Sequence, residues 1–173
     1  DLQPGQRRNE LEGLLSNEPS ELQSRNRVMH YLIGETQETL LSEHLYSLEP
    51  DPAGAISNGL SELLVLDQGG HFLSLERTFG RSGFGAKLFQ LAMGSATDIS
   101  GVRSLSGDVE GLVPVRKQLV LDLQTLGIPL DNVEGMTLGP RLPDGTDSLL
   151  LLSDNNFNED QITQILLFRL RQG

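Results

Sequence analysis

Acidic residues recur at corresponding points of this sequence, beside short apolar runs. Glu62 and Glu134 each begin an apolar run, while Glu76 and Asp154 each end the next run and stand three positions before a Phe. Carboxylates that lie close together raise one another's pKa or bind a cation between them, and either arrangement can activate water for hydrolysis. The pattern therefore predicts an acidic site.

The acids belong to a longer unit that recurs along the chain. The unit has an apolar run, a turn, a second apolar run, a polar loop and a third run. Glu18 extends the pattern toward the N-terminus, because it precedes Tyr31 by the same 13 positions that separate Glu76 from Phe89. A recurring unit of short antiparallel strands is typical of a β-propeller blade.

The elements that must position these acids are predicted to be strands throughout. Short apolar runs alternate with turns rich in Gly, Pro, Asn and Asp, which indicates an all-β protein. We expect a single domain over 1–173 that forms a partial β-propeller with about three four-stranded antiparallel blades, at 1–50, 56–124 and 132–173. The predicted strands are 13–16, 27–33, 39–48, 60–66, 72–76, 86–92, 117–123, 134–138, 148–153 and 164–169.

Blade geometry predicts that the acids meet. The first strand of a blade begins at the end of the ring where the second strand finishes, so the acids at these points should share one rim of the central channel. Asp154-Asn155-Asn156 adds three oxygen-bearing side chains in a row, which suits Ca²⁺. The alternative is that each carboxylate accepts backbone hydrogen bonds and braces the blades. Arg77 and Lys117 are either counter-ions to the acids or contacts for phosphate.

Composition excludes several classes of function. The chain has 173 residues, a formal net charge of −11 and no Cys, so thiol chemistry and disulfides are excluded. So acidic a chain, without a basic stripe, is not expected to bind nucleic acid. No apolar run approaches the length of a membrane span. The chain shows no signal peptide and no initiator Met, and three blades cannot close a ring, so we expect part of a larger propeller whose N-terminal blades lie in the same parent chain.

Other motifs give weaker signals. His30, His44 and His71 lack the spacing of metal ligands. The glycine-rich stretch 80–85 lacks the Gly-Lys-Ser/Thr ending of a phosphate loop and precedes a strand, so we interpret it as a hairpin loop. A Gly-x-Ser-x-Gly elbow, as in α/β-hydrolases, is absent from the sequence.

Several segments together resemble one known family. Asn-Val-Glu-Gly-Met at 132–136, with Leu-Gly-Pro at 138–140 and the run 148–157, is similar to the family called "esterase-like activity of phytase". The segments 56–64, 75–77 and 96–101 resemble it too, in the same order. The resemblance spans roughly residues 10–172 and corresponds to the C-terminal part of the family's domain. It implies a propeller-like fold, an exported (secreted or periplasmic) protein and hydrolysis of phosphate esters, with five characteristic acids: Glu62, Glu76, Asp98, Glu134 and Asp154.

These observations lead to one detailed hypothesis and two alternatives. The hypothesis is a phytase- or phosphodiesterase-like hydrolase of small phosphate esters, with a divalent cation, expected to be Ca²⁺, on the acidic rim. One alternative is a non-catalytic propeller module that binds a ligand or a protein partner, and the other is a scaffold whose acids only brace the blades. The hypothesis assigns catalysis to Glu62, Glu76, Glu134 and Asp154, substrate binding to Arg77, Lys117 and Asn155, and metal binding to Glu18, Asp98 and Asn156.

Overall fold

Nine antiparallel strands form three sheets in the computed structural model of the protein, which describes residues 24–50, 54–106 and 109–171. Sheet A contains β1 (Arg25–Ile33) and β2 (Glu38–Ser47). Sheet B contains, in spatial order, β3 (Ala55–Val65), β4 (His71–Gly80), β5 (Gly83–Ala92) and β6 (Arg116–Asp122). Sheet C contains β7 (Val133–Leu138), β8 (Asp147–Ser153) and β9 (Gln164–Leu170).

The all-β prediction is confirmed. Each predicted strand from 27–33 onward coincides with an observed strand, and the predicted strand 13–16 lies outside the described residues. The only helix among the described residues is a 3-10 turn at Leu123–Leu126, which Asp122 caps by accepting a hydrogen bond from the amide of Gln124. No helix of the described ranges is long and apolar enough to cross a membrane.

Of the predicted strand limits, the start of β3 and the end of β4 differ most from the structure, and both affect candidate acids. β3 begins at Ala55 and β4 continues to Gly80, so Glu62 and Glu76 lie inside their strands instead of at strand ends. Ser57, Asn58 and Gly59 are residue types common in turns, but here they pair with residues 77–79 across the ladder. Cross-strand pairing overrides local propensity, which is weak for strands. Asp154, by contrast, directly follows the end of β8.

Sheet B lies between the other two sheets and shares an apolar core with each. Toward sheet A, Phe89 and Leu91 pack with Tyr46 and Leu48. Toward sheet C, the opposite face of sheet B packs against β7 and β8, and this core buries Leu73, Leu75, Ala86, Leu88, Val133, Met136, Leu149 and Leu151. Successive residues of a strand point to opposite faces, so β4 serves both cores with alternate side chains.

The hairpins β3–β4 and β7–β8 have the same ladder register. In each, four residue pairs from the turn end are followed by one extra residue on the first strand, a β-bulge. The extra residue is Ser61 in β3 and Glu134 in β7. The ladder therefore matches Glu62 with Gly135, and the sequence-based match of Glu62 with Glu134 was wrong by one residue. A shift of one residue moves a side chain to the other face of the sheet.

The ladder register of β1 and β2 in sheet A likewise matches that of β5 and β6 in sheet B. A bulge lies on β2 at Leu41 and on β6 at Val120, after the pairs His30–Ser42 and Leu88–Leu121. The described residues of the long loop between β5 and β6 include several that hydrogen-bond to β2, with the amide of Ile99 donating to the carbonyl of Glu43 at 2.8 Å.

Candidate functional site

Arg77 and Glu134 meet where sheets B and C pack together. Arg77 lies in β4 on the face that turns toward sheet C, and Glu134 is the bulge residue of β7. Arg77 Nε is 3.7 Å from Glu134 Oε1, and both side chains are partly exposed. The guanidinium also donates a long hydrogen bond, 3.5 Å, to the hydroxyl of Ser57 on β3. A cation and a carboxylate are thus held side by side at the surface of a rigid junction.

Asn132 fixes the carboxylate of this pair. Its side chain is buried, and Nδ2 donates a 2.7 Å hydrogen bond to Glu134 Oε1. The segment before β7 is itself held by Asp131, whose carboxylate accepts hydrogen bonds from the backbone amides of Asn132 (2.7 Å) and Ile162 (2.6 Å). The position of Glu134 therefore depends on a network that crosses sheet C.

Two buried polar atoms in this cluster make no hydrogen bond with any described residue. They are Arg77 Nε, a donor, and Asn132 Oδ1, an acceptor. Buried polar groups are nearly always hydrogen-bonded, so unsatisfied ones call for an explanation. Both residues adjoin Glu134, and together they offer a positive donor, a neutral acceptor and a carboxylate. Such a group can bind an anion and accept a proton beside it.

Glu76 and Lys117 form a second, buried cluster at the junction of sheets A and B. Lys117 Nζ lies 2.6 Å from Glu76 Oε1 and 3.1 Å from Glu49 Oε1. The ammonium group also stands over the ring of Phe89, 4.3 Å from its centroid. Glu76 Oε2 accepts the backbone amide of Glu49 at 3.0 Å. The charges of Glu76 and Lys117 thus neutralise each other inside the protein, and the pair links two sheets.

Tyr46 completes the buried cluster. Its hydroxyl donates a 2.6 Å hydrogen bond to Glu76 Oε1 and lies 3.0 Å from Ser74 Oγ. Burial raises the pKa of the Tyr46 phenol far above its usual value, and the hydrogen bond to Glu76 raises it further. The phenol is therefore a permanent donor in the folded protein, with no role as an acid near neutral pH.

Glu62 lies apart from both clusters. It borders a shallow apolar cleft of about 350 Å³ on sheet C, together with Gly135, Leu152 and Ile165. Its Oε1 accepts the backbone amide of Leu63 at 3.0 Å.

Asp98 acts as a backbone acceptor in the long loop after β5. It accepts the amides of Glu43 (3.1 Å) and Ser100 (3.0 Å), and these bonds lower the pKa of its carboxyl, the one from Glu43 most. Asp98 therefore ties the loop to β2. This is the bracing role that the sequence left open as an alternative.

The predicted triplet Asp154-Asn155-Asn156 forms a loop after β8. Asn155 Oδ1 accepts the amide of Phe157, and Asn156 Nδ2 donates to Gln161 Oε1, each at 3.3 Å. Asn156 and Phe157 both have positive φ, so this loop is tightly bent. The two amides are engaged within their own loop.

The described residues do not gather into a metal site. No group of three or more His, Cys, Asp and Glu among them could hold an ion. Of the predicted metal ligands, Glu18 lies outside the described residues, Asp98 binds backbone amides, and Asn156 bonds within its loop. These donors do not fit a Ca²⁺ site by themselves, because Ca²⁺ takes about six to eight oxygens. Calcium binding stays a prediction.

The structure thus pairs Arg77 with Glu134 and Lys117 with Glu76, and keeps the pairs in different junctions. Sequence reasoning missed the partners Tyr46, Asn132 and Glu49. Asn132 directly precedes the Val133-Glu134 pair, so an amide beside a candidate acid was a usable signal. Tyr46 comes from sheet A and Glu49 from the segment that follows it, and nothing local indicated them.

Comparisons with known proteins give one match. The family model described as "Phytase-like: Esterase-like activity of phytase" matches residues 10–157. No curated protein and no solved structure matches the chain.

Proposed function

Because the chain belongs to the phytase-like family, whose description is esterase-like activity of phytase, we propose that it hydrolyses phosphate esters at the Arg77–Glu134 pair. The observation that carries the proposal is the pair of unsatisfied buried atoms there, Arg77 Nε and Asn132 Oδ1. Both atoms are buried, so a phosphate ester would bind through the exposed part of the Arg77 side chain, and the attacking water would bind through the exposed carboxylate of Glu134.

Arg77 would bind and orient the phosphate. Its guanidinium presents several N–H donors in a planar fork, which fits two phosphate oxygens at once. Ser57 on β3 steadies the far end of that fork. The positive charge also offsets the negative charge that grows on the phosphoryl oxygens as the ester bond breaks.

Glu134 would act as the general base. Its carboxylate takes a proton from the water whose oxygen forms the new bond to phosphorus, while the ester P–O bond breaks and the leaving oxygen is protonated by solvent. The hydrogen bond from Asn132 Nδ2 holds the carboxylate in one orientation, so the second oxygen can face the water.

The remaining candidate acids have other roles in this proposal. Glu76 and Lys117 brace the junction of sheets A and B, because each is buried and paired with the other. Calcium binding by the acidic residues stays a separate prediction, which activity measured with and without a chelator tests.

Hydrolysis of a chromogenic phosphodiester and of the matching phosphomonoester tests the assignment. We expect Glu134→Gln and Arg77→Gln each to lower kcat/KM by about 100-fold or more, the usual contribution of a general base or charge contact. Arg141→Gln is the matched control, since Arg141 pairs with Asp147 and both side chains are exposed. Full activity in Glu134→Gln, with an unchanged melting temperature, would overturn the catalytic role.

A second candidate function is phosphate binding without turnover. It is favoured by Arg77 itself, whose partly exposed guanidinium can attract an anion whether or not Glu134 takes a proton. This module would bind inorganic phosphate, detected by calorimetry, and would lose binding in Arg77→Gln but keep it in Glu134→Gln. Turnover of either ester would exclude it.

A further inference from the structure

Two phenylalanines form an aromatic pair on the face of sheet B that carries Arg77. Phe79 stands two positions after Arg77 in β4, so both side chains point toward sheet C. Phe84 is the partner of Phe79 across the β4–β5 ladder. The centroids of the two rings lie 4.8 Å apart, with the ring planes inclined by 37°. The aromatic pair therefore begins about 7 Å from Arg77 along β4, at about 3.4 Å per residue.

The aromatic pair lies outside the core between sheets B and C. Among the described residues, this core includes Leu75 and Ala86 from the same face of sheet B but neither phenylalanine. Phe79 keeps 36% of its surface exposed. Its ladder partner on β3 is Ser57, the residue whose hydroxyl accepts the hydrogen bond from Arg77. Ligand sites typically combine aromatic surface with a few polar groups, and Phe79 supplies such a surface beside the candidate site.

The charges beside the aromatic pair favour an anion with a single negative charge. The site has one guanidinium, that of Arg77, and one carboxylate, that of Glu134, 3.7 Å apart. The side chains that hydrogen-bond to them, Ser57 and Asn132, are neutral. A phosphate monoester carries a charge of about −1.5 to −2 at pH 7, whereas a diester has a single ionised oxygen. Arg77 can balance the diester, but the second charge of a monoester would be repelled by Glu134.

We propose that the substrate is a monoanionic phosphodiester with an aromatic ring on one of its two alcohol groups. The phosphate contacts Arg77, and the ring stacks on Phe79, which Phe84 supports from behind. This inference rests on the proposed hydrolytic function and names its substrate class. The water oxygen bonds to phosphorus, Glu134 takes a proton from that water, one P–O ester bond breaks, and solvent protonates the leaving oxygen. The products are an alcohol and a phosphate monoester, whose second charge beside Glu134 favours its release.

Calorimetric titration with diphenyl phosphate and diethyl phosphate tests the aromatic contact. Both diesters have poor leaving groups, so the titration measures binding and does not depend on turnover. We expect diphenyl phosphate to bind about 10-fold more tightly, which is the contribution of one aromatic contact. Phe79→Leu should reduce this preference to about 3-fold or less, because leucine has no ring for stacking. Phe72→Leu is the matched control and should keep the preference, since Phe72 lies in β4 but packs toward sheet A.

Hydrolysis of two esters with the same leaving group tests the charge preference. At about pH 8, kcat/KM for methyl 4-nitrophenyl phosphate should exceed that for 4-nitrophenyl phosphate by about 10-fold or more, because the monoester then carries both charges. At about pH 5 the monoester carries a single charge, since its second pKa is about 6, and the ratio should fall. Comparing the two esters at each pH cancels any titration of the protein that affects both.

The two experiments separate the substrate class from the hydrolytic function. Equal or faster hydrolysis of the monoester at about pH 8 would overturn the diester preference. Equal binding of the two diesters by the wild type, or a ring preference that persists in Phe79→Leu, would overturn the aromatic contact and leave hydrolysis standing. A ring preference that depends on Phe79, in a chain that hydrolyses neither ester, would contradict hydrolysis alone. If Phe79 only stabilised the β4–β5 hairpin, Phe79→Leu would lower the melting temperature without changing the preference.

Discussion

Glu76 and Arg77 are neighbours in sequence, but their side chains belong to different junctions. Alternation along β4 directs Glu76 toward sheet A, where Lys117 and Tyr46 bind it, and Arg77 toward sheet C, where it meets Glu134. Each face of β4 thus carries a carboxylate paired with a cationic side chain. The pair that faces sheet A is buried, and the pair that faces sheet C is partly exposed. Of the two pairs, only Arg77 and Glu134 are exposed enough to meet a ligand.

Tyr46 should stay protonated in the folded protein well above the pH at which a free tyrosine ionises. Burial raises its pKa first and the Glu76 hydrogen bond second. Its contribution to stability is therefore complete below about pH 10 and is lost as the pH rises beyond that value. The chain has two tyrosines, so Tyr31→Phe leaves Tyr46 as the only one. As the pH of this variant is raised, tyrosinate absorbance should appear together with loss of the circular dichroism of the fold. Tyrosinate in a chain that is still folded would contradict this.

Lys117→Met should destabilise the protein by about 3–5 kcal/mol, because it leaves the Glu76 carboxylate buried without its cation. The double variant Glu76→Gln, Lys117→Met removes both charges and should recover part of that loss. Urea unfolding of the wild type, the two single variants and the double variant measures the coupling between the residues. Strictly additive effects would show that the pair does not act as a unit.

At the scale of elements, the end of β4 at Gly80 lies close to the backbone at the start of β3. A Cβ added at Gly80 would lie 2.6 Å from the carbonyl oxygen of Gly54 and 3.0 Å from Ala55 Cα. Because the backbone cannot shift without strain, Gly80→Ala should lower the free energy of unfolding by about 1–3 kcal/mol. Gly94→Ala is the matched control, since a Cβ there would meet nothing within 4 Å. Equal unfolding midpoints in urea for the two variants would contradict the close approach.

The strands themselves could be predicted from sequence because apolar runs between turn residues are a local signal. The interval 86–92, for example, became β5, which is Gly83–Ala92. The bulges could not be predicted, because one extra residue leaves no mark in the apolar pattern. The bulge at Glu134 moved that acid out of the expected match with Glu62, and so changed which acids share a face.

The candidate site was predictable as a set of residue types but not as a set of contacts. Arg77 and Glu134 were both candidates from sequence, yet their pairing depends on how sheets B and C pack. The contacts of Glu76 come from elsewhere in the chain, because Tyr46 lies in sheet A and Glu49 in the segment after it. Contacts of this range follow from packing, which sequence periodicity does not specify.

At the scale of the whole molecule, sheet B links two cores that have little else in common. One core contains Leu91 and joins sheets A and B, while the other contains Leu75 and joins sheets B and C. Each junction also holds one of the two acid–base pairs. Loss of sheet B would therefore expose both cores at once, and this predicts that the three sheets unfold together.

Calorimetry of two matched cavity variants tests that coupling. Leu75 and Leu91 are both fully buried, one in each core. Leu75→Ala and Leu91→Ala should each cost about 2–5 kcal/mol and lower the temperature of one shared transition. The calorimetric and van't Hoff enthalpies should agree in both variants, which is the criterion for two-state unfolding. If Leu91→Ala instead produced a separate, earlier transition while the Leu75 core melted unchanged, sheet A would be an independent unit, and the junction at Tyr46 and Glu76 would not be strong enough to couple it to the rest.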